Sequence, residues 1–146
     1  MTDASRISLS VPSRLELLDM IQGAAEESAR LAGFDEDARL DFGLAVREGA
    51  ANAMKHAHGL QAQQPVDLAF EIEPSAAVAV SILDRGPGFD PEAAPDPCAP
   101  ENILNASGRG LFLIRSLVDE VSFRHLDTGM ELRMVKRVAG QGVVAG

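Results

Sequence analysis

The sequence predicts an α+β fold, a two-layer sandwich in which one sheet carries its helices on a single face. Two observations lead there. Stretches with the period-two alternation of strands gather into hairpin pairs, near residues 66–82 and 121–134. Helical stretches then separate those groups instead of following each strand, which argues against a doubly wound α/β sheet. At 146 residues the chain fits one domain, 1–146, able to bury a core without disulfides or a structural metal.

The elements follow in order. Ile7, Leu9 and Val11 alternate with Ser8 and Ser10, the pattern of a half-buried strand and a candidate for a sheet edge. Ser13-Arg14-Leu15-Glu16 has capping-box spacing, and Leu15, Leu18, Ile21, Ala25 and Leu31 recur at helical intervals before Gly33, so a helix is expected over 14–32. Asp35 is placed to cap a second helix, whose acidic first turn (Glu36, Asp37) suits the positive end of the helix dipole and which should run to about Ala57. Val66, Leu68, Phe70 and Ile72 alternate, as do Val78, Val80 and Ile82 after a Pro74-Ser75 turn, which predicts a hairpin. A proline-rich loop spans Asp90 to Pro100. Gly110 then opens a third helix with Leu111, Ile114 and Leu117/Val118 on one face. Val121 and Phe123, then Met130, Leu132 and Met134, form a second hairpin around Asp127-Thr128-Gly129, and residues from Val138 to Gly146 read as a tail.

Composition narrows the function. No apolar run approaches the roughly 18 to 20 residues of a membrane span, and the N-terminus lacks a basic segment leading into an apolar one, so the expectation is a cytoplasmic protein without a membrane role. A net charge of −9 disfavours direct nucleic-acid binding, which draws on clustered Lys and Arg, and favours basic or neutral protein surfaces. Cys98 is the only cysteine, which excludes an internal disulfide and a Cys-based zinc cluster.

Three constellations carry chemistry. In Glu48-Gly49-Ala50-Ala51-Asn52-Ala53-Met54-Lys55-His56, residues four apart share a helical face, so Glu48, Asn52 and His56 form a polar row beside the apolar stripe. Polar groups buried there without partners would cost on the order of 1 to 3 kcal/mol each, so they should face a ligand, a metal or water. Asp84-Arg85-Gly86-Pro87-Gly88 puts a carboxylate at a strand end, followed by glycines that let a flat ligand approach the backbone. Ser107-Gly108-Arg109-Gly110-Leu111 opens the third helix, where free amides and the dipole attract phosphate. Each alone also fits an ordinary solvated helix edge, turn or helix start.

In this order the three motifs resemble the Bergerat-fold (GHKL) ATPase superfamily, whose fold is a two-layer sandwich with a mixed, mainly antiparallel sheet. Within the resemblance Glu48 to His56 is the N box, Asp84 to Gly88 the first glycine box and Gly108 to Gly110 the second. It implies ATP and Mg2+ as cofactors, with Asn52 as the metal ligand and Glu48 as catalytic base. It further implies Asp84 on the adenine amine and Gly86 and Gly88 lining the base pocket. His56, Gly108, Arg109, Gly110 and Leu111 would complete the nucleotide site, with Arg109 near the terminal phosphate. Residues of about 91–105 would be the lid.

The short chain, the Asn52-Ala53-x-x-His56 spelling and Gly108-Arg109-Gly110-Leu111-Phe112-Leu113-Ile114 resemble the anti-sigma-factor serine/threonine kinases. Those kinases phosphorylate a STAS-domain anti-anti-sigma protein and bind a sigma factor as dimers, so the expected partners are a STAS protein, a sigma factor and a second copy. His56, His58 and His125 all fall outside the first helix, which speaks against an autonomous histidine kinase. Pro91, Pro95, Pro97 and Pro100 stiffen the lid and leave open a non-catalytic nucleotide-dependent binding module, and the STAS pathway served could control a target other than a sigma factor.

Overall fold

The computed structural model describes residues 4–57, 63–84, 110–127 and 129–138. Five strands, β1 (Ser5–Val11), β2 (Val66–Glu73), β3 (Ala77–Asp84), β4 (Glu120–Leu126) and β5 (Gly129–Arg137), form one sheet in the order β1-β2-β3-β5-β4, and every pairing is antiparallel. Among the described residues three helices cover one face: α1 (Leu18–Ala32), α2 (Glu36–Asn52) and α3 (Gly110–Leu117). This is the α+β sandwich the sequence predicts.

Alternation decides which side of the sheet is covered. Phe70 stands opposite Val80, and Val80 opposite Met134, so these side chains share the face beneath the helices. All three are fully buried, as are Phe42 and Val46 of α2 and Ile114 of α3. Phe42 meets Phe70 edge to face, with ring centroids 6.4 Å apart. The other sheet face is tied by ion pairs across strands: Arg133 reaches Glu71 at 3.0 Å and Ser81 at 3.2 Å, and Arg124 meets Glu131, its register partner.

Three details differ from the sequence reading. The chain enters α1 through a 3-10 turn at Leu15–Leu17, while the Ser13 hydroxyl donates to the Gln64 carbonyl at 2.6 Å and so ties this entry to the segment before β2. Leu15 and Leu31 lie outside the buried stripe, which runs Leu18, Ile21, Ala25, Ala29 and Ala32; at about 100° per residue Leu31 has rotated to the flank. The last helical turn, Ala53–Ala57, winds as a π-helix and not as a continuation of α2. The expected edge position of β1 is observed, and residues 139–146 of the expected tail lie outside the described residues.

Glycines set the depth of α2. A Cβ at Gly43 would sit 2.6 Å from Cγ of Glu26 on α1, and one at Gly49 would sit 2.7 Å from Met134 Cε and 3.0 Å from Ile82 Cδ1. Arg47 closes the α1–α2 seam through Asp19 at 2.6 Å and Gln22 at 3.1 Å. Gly33, with φ at 103°, ends α1 in the left-handed conformation, and the Ser75 amide donates to the Ala32 carbonyl just before it. Helix α1 is thereby pinned to the β2–β3 turn.

Candidate functional site

The polar row begins where α2 ends. Asn52 is 3% exposed, and its amide nitrogen donates to the Glu48 backbone carbonyl and to Glu48 Oε2, both at 3.0 Å. Glu48 is half-buried. An ionised carboxylate only accepts hydrogen bonds, so Nδ2 must face Glu48 and the amide oxygen is turned away from it. Among the described residues no hydrogen bond engages Asn52 Oδ1. An unengaged amide oxygen on a side chain that is otherwise buried suits a hard cation or an ordered water.

The sheet brings the second element near. Asp84 is the last residue of β3 and shares the face of Val80 and Ile82, towards the helix layer. Gly49, one residue beyond Glu48, rests on that same Ile82, and the π-turn after Asn52 packs against β3. The absence of a side chain at Gly49 therefore lowers the Glu48–Asn52 end of α2 onto the strand that ends in Asp84. No role was assigned to Gly49 from the sequence. The signal was present nonetheless, because an interior helical glycine costs about 1 kcal/mol relative to Ala and so points to close packing.

The third element is present at its helical end. Gly110 opens α3 and is buried, Leu111 is buried beside it, and α3 packs along α2. Gly86, Gly88, Gly108 and Arg109 lie outside the described residues, as does the expected lid. His56 falls in the π-turn, whose wider winding breaks the four-residue register of Glu48 and Asn52, and its side chain is not among those described.

Helix α2 thus presents an acid and an amide, β3 a carboxylate and α3 a glycine at its N-terminus, all on the inner side of one sheet. The histidine kinase-like ATPase domain family matches residues 11–136. The chain belongs to that family. It is 33% identical over 144 residues to the serine-protein kinase RsbW of Staphylococcus epidermidis, an alignment covering 94% of this chain and 89% of the relative. It is 28% identical to the protein of the same name from Oceanobacillus iheyensis, covering 98% of this chain and 93% of that one.

Solved structures agree on the fold. The RsbU and RsbW domains of Rv1364c from Mycobacterium tuberculosis superpose with a TM-score of 0.65 at 17% identity, covering 91% of this chain and 32% of that longer one. The histidine kinase domain of the Erythrobacter litoralis EL346 blue-light activated histidine kinase gives 0.55 at 22% identity, covering 91% of this chain and 64% of that one. Among the described residues no helix is long and apolar enough to cross a membrane. No group of three or more His, Cys, Asp or Glu side chains converges among them either.

Proposed function

We propose that this chain is an ATP-dependent serine/threonine protein kinase that transfers the γ-phosphoryl group to a hydroxyl of a STAS-domain antagonist and also binds a sigma factor as a homodimer. Family membership and relatives named as serine-protein kinases support ATP use and protein phosphorylation. The observation that carries the assignment of roles is the Asn52–Glu48 pair, with its amide nitrogen on the carboxylate and its amide oxygen turned away.

Glu48 would act as general base, accepting the hydroxyl proton as the new O–P bond forms and the bond to the ADP oxygen breaks. Asn52 would position that base through its Nδ2 and offer Oδ1 to magnesium, which when bound neutralises charge on the phosphates. Asp84 would accept a hydrogen bond from the adenine amine, and Gly110 would leave the α3 amides open to phosphate oxygens. His56, Gly86, Gly88, Gly108, Arg109 and Leu111 would complete the nucleotide site, as the sequence motifs imply.

The test is transfer of label from γ-labelled ATP to STAS-domain proteins encoded in the same genome. The proposal expects one of them to be labelled on Ser or Thr; binding of ATP and partner without transfer would select a non-catalytic binding module.

A further inference from the structure

Gly129 carries a constraint that a turn residue does not need. A Cβ built there would lie 1.9 Å from the Asp84 carbonyl oxygen, 2.9 Å from its carbonyl carbon and 3.1 Å from its carboxylate Oδ1. At Gly43 and Gly49 the crowding atoms are side-chain atoms of Glu26, Gln22, Met134, Ile82 and Leu132, while Gly23 and Gly33 meet nothing closer than 3.9 Å. Of these five glycines only Gly129 would place a Cβ in collision with backbone, and the backbone belongs to the residue that ends β3.

Neither side of this contact can yield easily. Asp84 is paired with Met130 and its neighbour Leu83 with both Asp67 and Glu131, so the end of β3 is held from two strands. Gly129 is paired with Leu126 across the β4–β5 hairpin. A carbon and a carbonyl oxygen sit no closer than about 3.3 Å even in favourable contacts, so a methyl group at residue 129 demands a displacement of more than about 1 Å. The window for a hydrogen bond from an N–H group is only about 2.7 to 3.2 Å.

We propose that Gly129 is a positioning residue of the nucleotide site: its missing side chain seats β5 directly against Asp84 and so aims the Asp84 carboxylate at the purine. The proposal rests on the reading of Asp84 as the contact to the adenine amine. It makes base selectivity, and not general nucleotide affinity, the property that residue 129 controls. Inosine triphosphate is the informative probe, because it shares the phosphates and sugar of ATP and carries an oxygen where adenine has its amine.

The experiment compares ATP and inosine triphosphate binding by calorimetry for the wild type and Gly129→Ala, with thermal unfolding alongside. The expected result is a fall of about tenfold or more in the ATP preference of Gly129→Ala, the scale of a lost charge-assisted hydrogen bond, with inosine triphosphate affinity within about threefold of wild type. Gly33→Ala, a strained helix-end variant at the β2–β3 turn, serves as a control for destabilisation and should keep the wild-type preference. Gly129→D-Ala, installed by semisynthesis, places its methyl on the opposite side of the Cα, should retain selectivity, and decides the matter if Gly129→Ala does not fold. An unchanged ATP preference in folded Gly129→Ala, or its loss in the D-alanine variant, overturns the proposal. A wild type that does not prefer ATP removes the underlying reading of Asp84 and the proposal with it.

Discussion

The side-chain amide of Asn52 donates to the Glu48 carboxylate at 3.0 Å, one helical turn back along α2. The contact fixes two things together. It holds the carboxylate against its own helix, and it fixes which end of the amide faces outwards, because the carboxylate takes the nitrogen. The proposed base and the proposed metal ligand are in this sense one unit, and substitutions at the two positions should differ in which half of the unit they remove.

Asn52→Ala should keep the fold, because both hydrogen bonds of Asn52 go to Glu48 on the same helix. It should lose the magnesium-dependent part of ATP affinity. Calorimetric titration of ATP with and without magnesium checks this, and equal magnesium dependence in variant and wild type would remove Asn52 as the ligand.

Phe42→Ala should destabilise the domain by about 3–5 kcal/mol, the range for truncating a fully buried aromatic. Phe42 is completely buried and stacks edge to face on Phe70 in the middle of the sheet. Urea unfolding measures the loss; a cost below about 1 kcal/mol would mean that α2 does not pack on β2 as described.

Glu71 gives an acid-side signature. Its hydrogen bond with Arg133 holds its carboxyl below the usual glutamate range, with burial opposing and the charges of Arg133 and Arg6 assisting. A depressed folded value means that the pair stabilises the domain above the ordinary glutamate pKa and that this is lost as pH falls through the lower folded value. Both side chains are 36% exposed, so solvent screening limits the effect to about 1 kcal/mol or less. Glu71→Gln should flatten the acid side of a stability–pH curve measured by thermal unfolding, and an unchanged acid limb would contradict the assignment.

Most of the fold was legible because its strands bury one face each. The large apolar residues of Val66 to Ile72 and Val78 to Ile82 alternate without interruption; burial follows that alternation in β2 except at Ala69, whereas β3, central in the sheet, is buried at every position from Val78 to Ile82. Helix phase was read less well: Leu31 continues an apolar rhythm in the sequence yet is 48% exposed, since α1 already buries Ala29 and Ala32 at that level. The π-turn had no local signal, because Ala53-Met54-Lys55 is compatible with an ordinary α-helix; in the structure this turn packs on β3. Within the candidate site, Glu48, Asn52 and Asp84 stand out in the sequence by residue type and spacing. Gly49 was signalled only by its place inside a helix, and Gly129 not at all, because a close approach between residues about 45 positions apart in sequence is a tertiary fact with no local pattern.

The central claim is tested most directly by measuring single-turnover transfer of the γ-phosphoryl group to the STAS-domain partner by wild type and Glu48→Gln, with ATP affinity determined on the same preparations. Positioning and electrostatics dominate phosphoryl transfer, so removal of the base should slow chemistry far more than it weakens binding. The account predicts ATP affinity within about tenfold of wild type, roughly 1.4 kcal/mol, and loss of most of the transfer rate. Transfer at the wild-type rate by a Glu48→Gln protein that binds ATP would contradict it.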